Sequence, residues 1–247
     1  MIKILHFLFL LMLVPSLCFG GASRDFDGVS DSSDNTKPSA LIIGTDSFTR
    51  IAWAYWTQGA DIDEEVIFSQ QDGTGLGRNW LSIDDDASAC TADFIGSFLG
   101  NVATCGALMS QNIWTHVAVR SDEAGGTVQL IQNGTQTGSA TRTVEAATGT
   151  LRTGVHKTNT TQDFEGQIAH SILCEGAITN AQINEISINP EVAASAYCGS
   201  GYDINNPLWG TSSPEEDISG NALTGTLTGT SASSNGPPVM FGVGLPL

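Results

Sequence analysis

The chain has 247 residues, of which 9 are Lys or Arg and 26 are Asp or Glu, so its formal net charge is −17. Such an acidic surface repels nucleic acid and anionic lipid, which excludes both as partners. A hydrophobic content of 40% with 10 Phe and 5 Trp excludes a disordered acidic tail. All-β sandwiches commonly reach this length as one domain.

The N-terminus is typical of a secretory signal peptide, which we assign to residues 1–22. Lys3 supplies the charge, Ile4–Val14 is almost wholly apolar, and Gly20-Gly21-Ala22 offers small residues for cleavage. The apolar run is short for a bilayer span, so an uncleaved anchor is the less favoured alternative. We therefore expect a secreted or cell-surface protein without membrane insertion after signal cleavage.

The cysteines agree with export. Cys18 lies in the signal, which leaves Cys90, Cys105, Cys174 and Cys198. Three pairings can be drawn, and the two local bridges, Cys90–Cys105 and Cys174–Cys198, close short loops. Four free thiols or a metal site are the alternatives, although no C-x-x-C spacing supports zinc. Disulfides fit an exported protein best.

Strand candidates follow one another along most of the chain. They are Ala40–Ile43, Phe48–Thr57, Val66–Ser69, Arg78–Ile83, Ala92–Leu99, Leu151–Val155 and Phe164–Cys174. Phe48–Thr57 is apolar on both alternating faces, which is typical of a strand in the centre of its sheet. The Ser/Asp-rich stretch 29–39 is predicted to be a loop from its composition.

The stretch Ile113–Gly134 is predicted to be a β-hairpin. Alternating residues from Trp114 onward are broken by acid and glycine, and a second apolar run follows from Val128. Asn133-Gly134 favours the positive φ angles of a type I′ turn, so a further strand should follow it.

Residues 178–188 depart from the strand pattern. Ile178, Ile183 and Ile186 fall near helical spacing, and Thr179 with Gln182 three residues on matches a capping box. A second short helix is expected over Pro190–Tyr197.

Several of these segments resemble, in the same order, those of laminin-G-like modules in the concanavalin A-like superfamily. The matching segments are "DFDG" (25–28), "FTRIAWAYW" (48–56), "WLSIDDD" (80–86), the hairpin, and "FEGQIAHSILCEGAITNAQINEI" (164–186). The resemblance covers about residues 24–190. It implies an all-β jelly-roll sandwich of two antiparallel sheets, with one or two short helices near 179–197.

The C-terminal part departs from the family order. "LWGTSSPEEDISGNALTGTLTG" (208–229) is similar to a segment that usually precedes the first strand. Because the termini of such jelly rolls are neighbours, we expect Leu208–Gly210 and Ala222–Thr228 to be edge strands beside the one that starts at Phe26. Residues 23–247 then form a single domain, with 208–247 as edge strands and tail. A loosely attached tail is the alternative.

Catalysis is not expected. The superfamily includes glycoside hydrolases, which place two carboxylates across a cleft. The nearest strings here are Asp61-Ile62-Asp63-Glu64-Glu65 in a loop and Asp84-Asp85-Asp86 at the end of a strand. Both are interpreted as solvated loop acids.

Ligand binding is the more plausible activity, because jelly rolls of this type bind at a rim or on a sheet. Trp56 could stack on a sugar ring or could instead fill the core between the sheets, and both interpretations stay open. Asp84, Asp85 and Asp86 are further candidate ligand-binding residues. Trp53, Trp80 and Trp114 are expected to fill the core, and His116 is expected to be structural.

No cofactor is required, and Ca²⁺ is the candidate ion. Asp61, Asp63, Asp217 and Asn221 offer the hard oxygen ligands that Ca²⁺ prefers. Asp217 and Asn221 could instead cap their own turn.

The sequence thus predicts a secreted, non-catalytic recognition module that binds glycan or another extracellular surface. The alternative is a structural subunit that assembles with copies of itself. A diverged glycosidase is the least favoured interpretation.

Overall fold

The computed structural model describes residues 22–35, 46–57, 65–70, 79–84, 94–99, 102–141, 149–156, 162–198, 204–208, 213–219 and 221–238. Within these ranges, the strands form two antiparallel sheets that pack face to face, and two short helices lie on the outside of one sheet. The predicted jelly-roll sandwich is confirmed. The predicted signal peptide and the strand candidate Ala40–Ile43 lie outside the described residues.

Eight of the described strands form sheet A. In spatial order they are β10 (Thr135–Thr141), β9 (Thr127–Gln132), β8 (Trp114–Asp122), β3 (Phe48–Trp56), β12 (Glu165–Glu175), β1 (Ser23–Asp27) and β15 (Ser231–Ser233), and β13 (Ile204–Asn206) also pairs with β12. β3 lies in the middle of this order, as its two apolar faces predicted.

The other seven described strands form sheet B. Their order is β14 (Gly225–Thr228), β2 (Ser32–Asn35), β11 (Leu151–Thr153), β4 (Glu65–Gln70), β5 (Asn79–Asp84), β6 (Phe94–Leu99) and β7 (Val102–Leu108). At one edge of the sandwich β10 approaches β7 very closely. A Cβ atom at Gly138 would lie 2.2 Å from the carbonyl oxygen of Cys105, so glycine is needed there.

The predicted hairpin is formed by β8 and β9, which pair from Val117 with Gln132 to Asp122 with Thr127. Asn133 has a φ of 48° and its neighbour Gly134 a φ of 76°, as a type I′ turn requires. β10 follows the turn and pairs with β9, so the further strand is also confirmed.

The prediction of a loop over residues 29–39 is wrong for Ser32–Asn35. This segment is β2, which pairs with β11 on one side and with β14 on the other. The buried Asn35 side chain donates through Nδ2 to Oδ1 of Asn206 at 2.7 Å. Because two partner strands from distant parts of the chain satisfy its backbone, and Asn206 on β13 satisfies the side chain of Asn35, pairing overrides the local composition.

The main core lies between the sheets. β3 contributes Ala52, Ala54 and Trp56, and sheet B contributes Phe68 and Leu81 among others. These side chains are 2% exposed or less. Burial of this continuous apolar layer is the principal force that holds the two sheets together.

Arg50, also on β3, points into the same space. Its guanidinium carbon lies 4.3 Å from the ring centroid of Phe68, and its Nη2 donates to the carbonyl oxygen of Arg152 at 3.3 Å. Burial lowers the pKa of Arg50 to about 9. This arginine therefore serves the interior of the sandwich.

The two helices are α1 (Asn180–Ile188) and α2 (Pro190–Tyr197). Thr179 is the N-cap of α1, and with Gln182 it forms the predicted capping box. Ile183 and Ile186 pack against Ile51 and Ala118 on the outer face of sheet A. Neither helix has the length and apolar character that a membrane span needs, and this holds for all helices in the described ranges.

A disulfide between Cys174 on β12 and Cys198 after α2 joins the helices to sheet A, which confirms one predicted bridge. Cys105 is also disulfide-bonded. Its partner lies outside the described residues, as does Cys90, so Cys90–Cys105 stays a prediction.

The C-terminal segment supplies strands at one edge of both sheets. The strand within the predicted Ala222–Thr228 is β14, but it pairs with β2 of sheet B and not with the strand of Phe26. The strand that pairs with β1 is β15. A turn at Gly229, with a φ of 74°, carries the chain from one sheet to the other. Leu208 is buried outside any strand, and residues 209–210 are not among those described.

Candidate functional site

The tryptophans of sheet A occupy places opposite to those that the sequence favoured. Trp56, the candidate for stacking on a sugar, is 2% exposed and packs between the sheets. Its ring has no face open to a ligand, so this prediction is corrected. Trp53 and Trp114, which were expected in that core, lie together on the outer face of sheet A.

The alternation of side chains along a strand is the reason. Trp56 shares the inner face of β3 with Ala52 and Ala54, which leaves Trp53 and Tyr55 on the outer face. The same rule applies in sheet B. Leu81 points into the core, and its neighbour Trp80 lies on the outer side, where its ring centroid is 5.3 Å from that of His156.

Cross-strand pairing aligns Trp114, Tyr55 and Gln167 in one row on the outer face of sheet A. Tyr55 pairs with Trp114 on β8 and with Gln167 on β12. The two ring centroids are 5.5 Å apart, and the ring planes are tilted by 51°. All three side chains are partly exposed, so the row presents aromatic surface next to a carboxamide.

Asn235 reaches this row from the segment that follows β15. Its Nδ2 donates to Oε1 of Gln167, and its Oδ1 lies 3.5 Å from the indole Nε1 of Trp114. Its carbonyl oxygen accepts a hydrogen bond of 2.5 Å from Oγ of Ser23 on β1. We call Trp114, Tyr55, Gln167 and Asn235 the outer-face platform.

The next row on the same face, formed by Trp53 and His116, packs against the platform. Trp53 pairs with His116 in the register of β3 and β8, and their ring centroids are 5.3 Å apart in an edge-to-face contact. The indole Nε1 of Trp53 donates to the carbonyl oxygen of Ser187 in α1 at 3.1 Å. The helix therefore holds Trp53 in place, and Trp53 in turn packs against Trp114.

His116 and His170 are both buried near this support. Burial lowers the pKa of each imidazole to about 3, and for His116 the neighbouring His170 adds to the effect. Both rings are therefore neutral at physiological pH. The expectation of a structural role for His116 agrees with this position.

Sequence reasoning missed the platform. It assigned Trp114 to the core and did not single out Tyr55, Gln167 or Asn235. The available signal was the apolar alternation on both faces of β3, which indicates that something covers or uses the second face. No local pattern marks Asn235, because only tertiary structure brings it over a row of distant strands.

Most of the predicted acidic candidates lie outside the described residues. This applies to Asp61, Asp63, Asp85 and Asp86, and for Asp84 only the backbone is described, as the last residue of β5. Their predicted roles in ligand or calcium binding stay predictions.

Asp217, which was predicted as a calcium ligand, accepts four hydrogen bonds from nearby groups. It is buried, and Oδ1 accepts from the backbone N–H groups of Asn205 and Ser219, both at 3.0 Å. Oδ2 accepts from Oγ of Ser219 at 2.9 Å and from the N–H of Leu223 at 2.8 Å. Asn221 is exposed and its Nδ2 donates to Oγ of Ser219. The carboxylate thus organises its own turn, as the alternative interpretation allowed.

A second group of carboxylates lies at the turn after β1. Oδ2 of Asp31 accepts from the N–H of Asp27 at 2.9 Å, and Oδ2 of Asp163 accepts from the N–H of Ser30 at 2.7 Å. Burial, with the charge of Asp27, raises the pKa of Asp31 and of Asp163. In the described ranges, no three His, Cys, Asp or Glu side chains are arranged to hold a metal ion.

Residues 28–184 match the family model described as the concanavalin A-like lectin/glucanases superfamily. No curated protein matches the chain.

Solved structures with similar folds are found. A candidate carbohydrate-binding protein from Bacteroides ovatus has a TM-score of 0.71 at 18% identity, over 89% of this chain and 61% of that one. The chain thus spans about three fifths of that protein. The heptameric SAP-like pentraxin of Limulus polyphemus has a TM-score of 0.57 at 11% identity, over 88% and 97% of the two chains. The extracellular region of zebrafish Gpr126/Adgrg6 has a TM-score of 0.54 at 15% identity, over 92% and 28%. At these identities the similarity concerns the fold.

Proposed function

The chain belongs to the concanavalin A-like lectin/glucanases superfamily, and we propose that it is a carbohydrate-recognition module that binds glycan on the outer-face platform. The observation that carries this proposal is the row of Trp114 and Tyr55 beside Gln167, with Asn235 above it. This surface joins partly exposed aromatic rings to amide donors and acceptors.

The chemistry of the platform suits a sugar. A pyranose ring has an apolar C–H face, which packs on the flat face of an indole or phenol ring. Its edge carries hydroxyl groups that both donate and accept hydrogen bonds. The carboxamides of Gln167 and Asn235 each provide an acceptor oxygen and two N–H donors, so they can pair with hydroxyls of either orientation.

The platform is also held in place before any ligand arrives. Nε2 of Gln167 donates to Oγ of Ser233 at 3.2 Å, and Asn235 bonds both Gln167 and Ser23. Trp114 packs on Trp53, which α1 anchors. Because these side chains are already ordered, binding would lose less conformational entropy than binding to mobile side chains.

The structural neighbours and the cysteines support the class and the compartment of this function. The Bacteroides ovatus protein is described as a candidate carbohydrate-binding protein, which agrees with glycan recognition. The disulfide between Cys174 and Cys198 agrees with an extracellular location. We propose a non-catalytic role, because none of the four platform side chains is one of the two carboxylates that most glycosidases use.

A glycan array with the chain lacking residues 1–22, with and without Ca²⁺, tests the proposal, and calorimetry on the glycans that bind gives affinities. Trp114→Ala and Tyr55→Ala should each weaken binding at least tenfold, as expected for central aromatic contacts. Trp80→Ala is the matched control, because Trp80 is a partly exposed tryptophan on the other sheet, and it should bind like the unmodified chain.

Two results would contradict the proposal. One is no binding to any glycan in either condition, and the other is unchanged affinity in Trp114→Ala. Release of reducing ends from a bound oligosaccharide would contradict the non-catalytic part alone.

A further inference from the structure

We propose that the outer-face platform selects uncharged glycans and rejects those that carry carboxylate or sulfate groups. This inference rests on the proposed function and names the class of ligand for the same site.

The polar groups of the platform are neutral. They are the indole N–H of Trp114, the phenol of Tyr55 and the carboxamides of Gln167 and Asn235. Neutral amides match sugar hydroxyls, which are neutral donors and acceptors. An anionic group on the ligand would lose its hydration at the platform without gaining the charge-assisted hydrogen bonds that arginine or lysine provides.

The nearest charges that the register places beside the platform are negative. Asp25 on β1 pairs with Gln167, so it continues the row, and it is partly exposed. Two residues further along β1, Asp27 pairs with Glu165 on β12, and side chains two residues apart share a face. The β1 side of the platform therefore carries three carboxylates that would repel an anionic ligand.

Two of the arginines that the structure describes serve the interior. Arg24 is 3% exposed and its Nη2 lies 3.1 Å from Oε2 of the buried Glu215. Arg50 is enclosed between the sheets, over Phe68. Neither guanidinium can reach a ligand on the outer face of sheet A.

The two other described arginines lie away from the platform. Arg152 is in sheet B and its Nη2 is 3.5 Å from Oδ2 of Asp34. Arg120 is on β8, six residues from Trp114, which is about 20 Å along a strand. Its Nη1 donates to the carbonyl oxygen of Ile178 at 2.7 Å. The described part of the chain contains no lysine, so its cations do not balance the carboxylates beside Gln167.

The size of the repulsion should depend on salt. Exposed charges are screened over about 10 Å at 0.1 M ionic strength and over about 30 Å at 0.01 M. Carboxylates beside the row would thus act on a bound anion most strongly at low ionic strength. A hydrophobic or steric cause of discrimination would show no such dependence.

The test compares each neutral oligosaccharide that binds with its sialylated, sulfated or uronic-acid counterpart, by calorimetry at about 0.01 M and 0.1 M ionic strength. We expect the anionic counterpart to bind at least tenfold more weakly at low salt. We call this ratio of affinities the gap, and it should be smaller at the higher salt. The double substitution Asp25→Asn and Asp27→Asn should reduce the gap at least threefold. At position 27, Asn keeps the side-chain oxygen that accepts a hydrogen bond from the N–H of Val29, so this contact of the turn is retained.

The possible results distinguish the selectivity for uncharged glycans from glycan recognition itself. Equal or tighter binding of the anionic counterparts at low salt, with the Trp114→Ala effect intact, would overturn the selectivity and leave glycan recognition standing. A gap that neither salt nor the double substitution changes would overturn the electrostatic cause. Absence of binding to both kinds of glycan would overturn the proposed function and the selectivity with it.

Discussion

The two faces of β3 carry similar apolar and aromatic residues but differ in how far they are buried. The inner face, with Ala52, Ala54 and Trp56, is sealed by sheet B. The outer face changes along its length. Ile51 is covered by the helices, Trp53 is 9% exposed beside α1, and Tyr55 is partly open. On one strand, therefore, the inner side chains are fully buried, and the exposure of the outer side chains rises from Ile51 to Tyr55.

This difference shows what the helices do. They follow β12 directly and are bound to it by the Cys174–Cys198 disulfide. They cover the middle of the outer face and stop short of the row of Tyr55 and Trp114. The same apolar alternation thus produces buried core where a helix lies and an aromatic platform where none does.

Of the substitutions on β3, Trp56→Ala on the inner face should have the largest effect on stability. Deleting a fully buried indole should lower the free energy of unfolding by about 3–5 kcal/mol, through lost burial and the cavity that remains. Urea unfolding followed by circular dichroism measures this. A loss below about 1 kcal/mol would contradict the assignment of Trp56 to the core.

Removal of the disulfide by Cys174→Ala and Cys198→Ala tests the covered part of the outer face. The bridge closes a separation of 24 residues, for which chain entropy predicts a loss of about 3 kcal/mol. In the variant, the rate of amide hydrogen exchange should increase more in α1 and α2 than in β8, relative to the unmodified protein. Uniform faster exchange across both sheets would argue against a local role for the bridge.

The buried histidines make the outer face sensitive to acid. The folded pKa values of His116 and His170 are lowered to about 3, whereas an unfolded histidine titrates near 6.5. Below about pH 6.5 the unfolded chain binds protons that the folded chain does not. Each histidine should therefore lower stability by up to about 1.4 kcal/mol per pH unit as the pH falls.

His116→Phe isolates this term, because it keeps a ring against Trp53 and removes one titrating group. Between pH 6.5 and 5 the variant should lose stability with a slope smaller by up to about 1.4 kcal/mol per pH unit. Asp31 and Asp163 act in the opposite direction, since their raised pKa values add stability as the pH falls through them. An identical slope in the variant would show that His116 is accessible to protons in the folded state.

The smallest effect on stability is expected at the platform. Trp114→Ala should cost about 1 kcal/mol, the typical value of an aromatic pair such as that with Tyr55. Thermal unfolding measures it alongside Trp56→Ala. A cost equal to that of Trp56→Ala would mean that Trp114 belongs to the core and would weaken the proposed site.

Much of the fold followed from local patterns. The Asn133-Gly134 turn, the capping box of Thr179 and Gln182, and the Cys174–Cys198 bridge were predicted and are confirmed. For the turn and the capping box the signal lies in a few residues close in sequence, and for the bridge it lies in the short loop that the two cysteines close. β2 was missed for the opposite reason, because its polar residues form a strand only when β11 and β14 pair with it.

The candidate site was less predictable than the fold. Its residues lie on β8, β3, β12 and the segment after β15, which are far apart in the chain. The sequence indicated tryptophans as candidates and left only Trp56 open to a ligand, because a strand that is apolar on both sides does not reveal which side is covered.

The residues of β3 are enough to place Trp53 and Tyr55 on one face and Trp56 on the other, because side chains along a strand repeat every second residue. Which of the two faces is the core depends on elements that are distant in the chain. Sheet B covers one side completely, and α1 and α2 cover part of the other. The packing of distant elements thus left Tyr55 and Trp114 open, and it brought Asn235 over them.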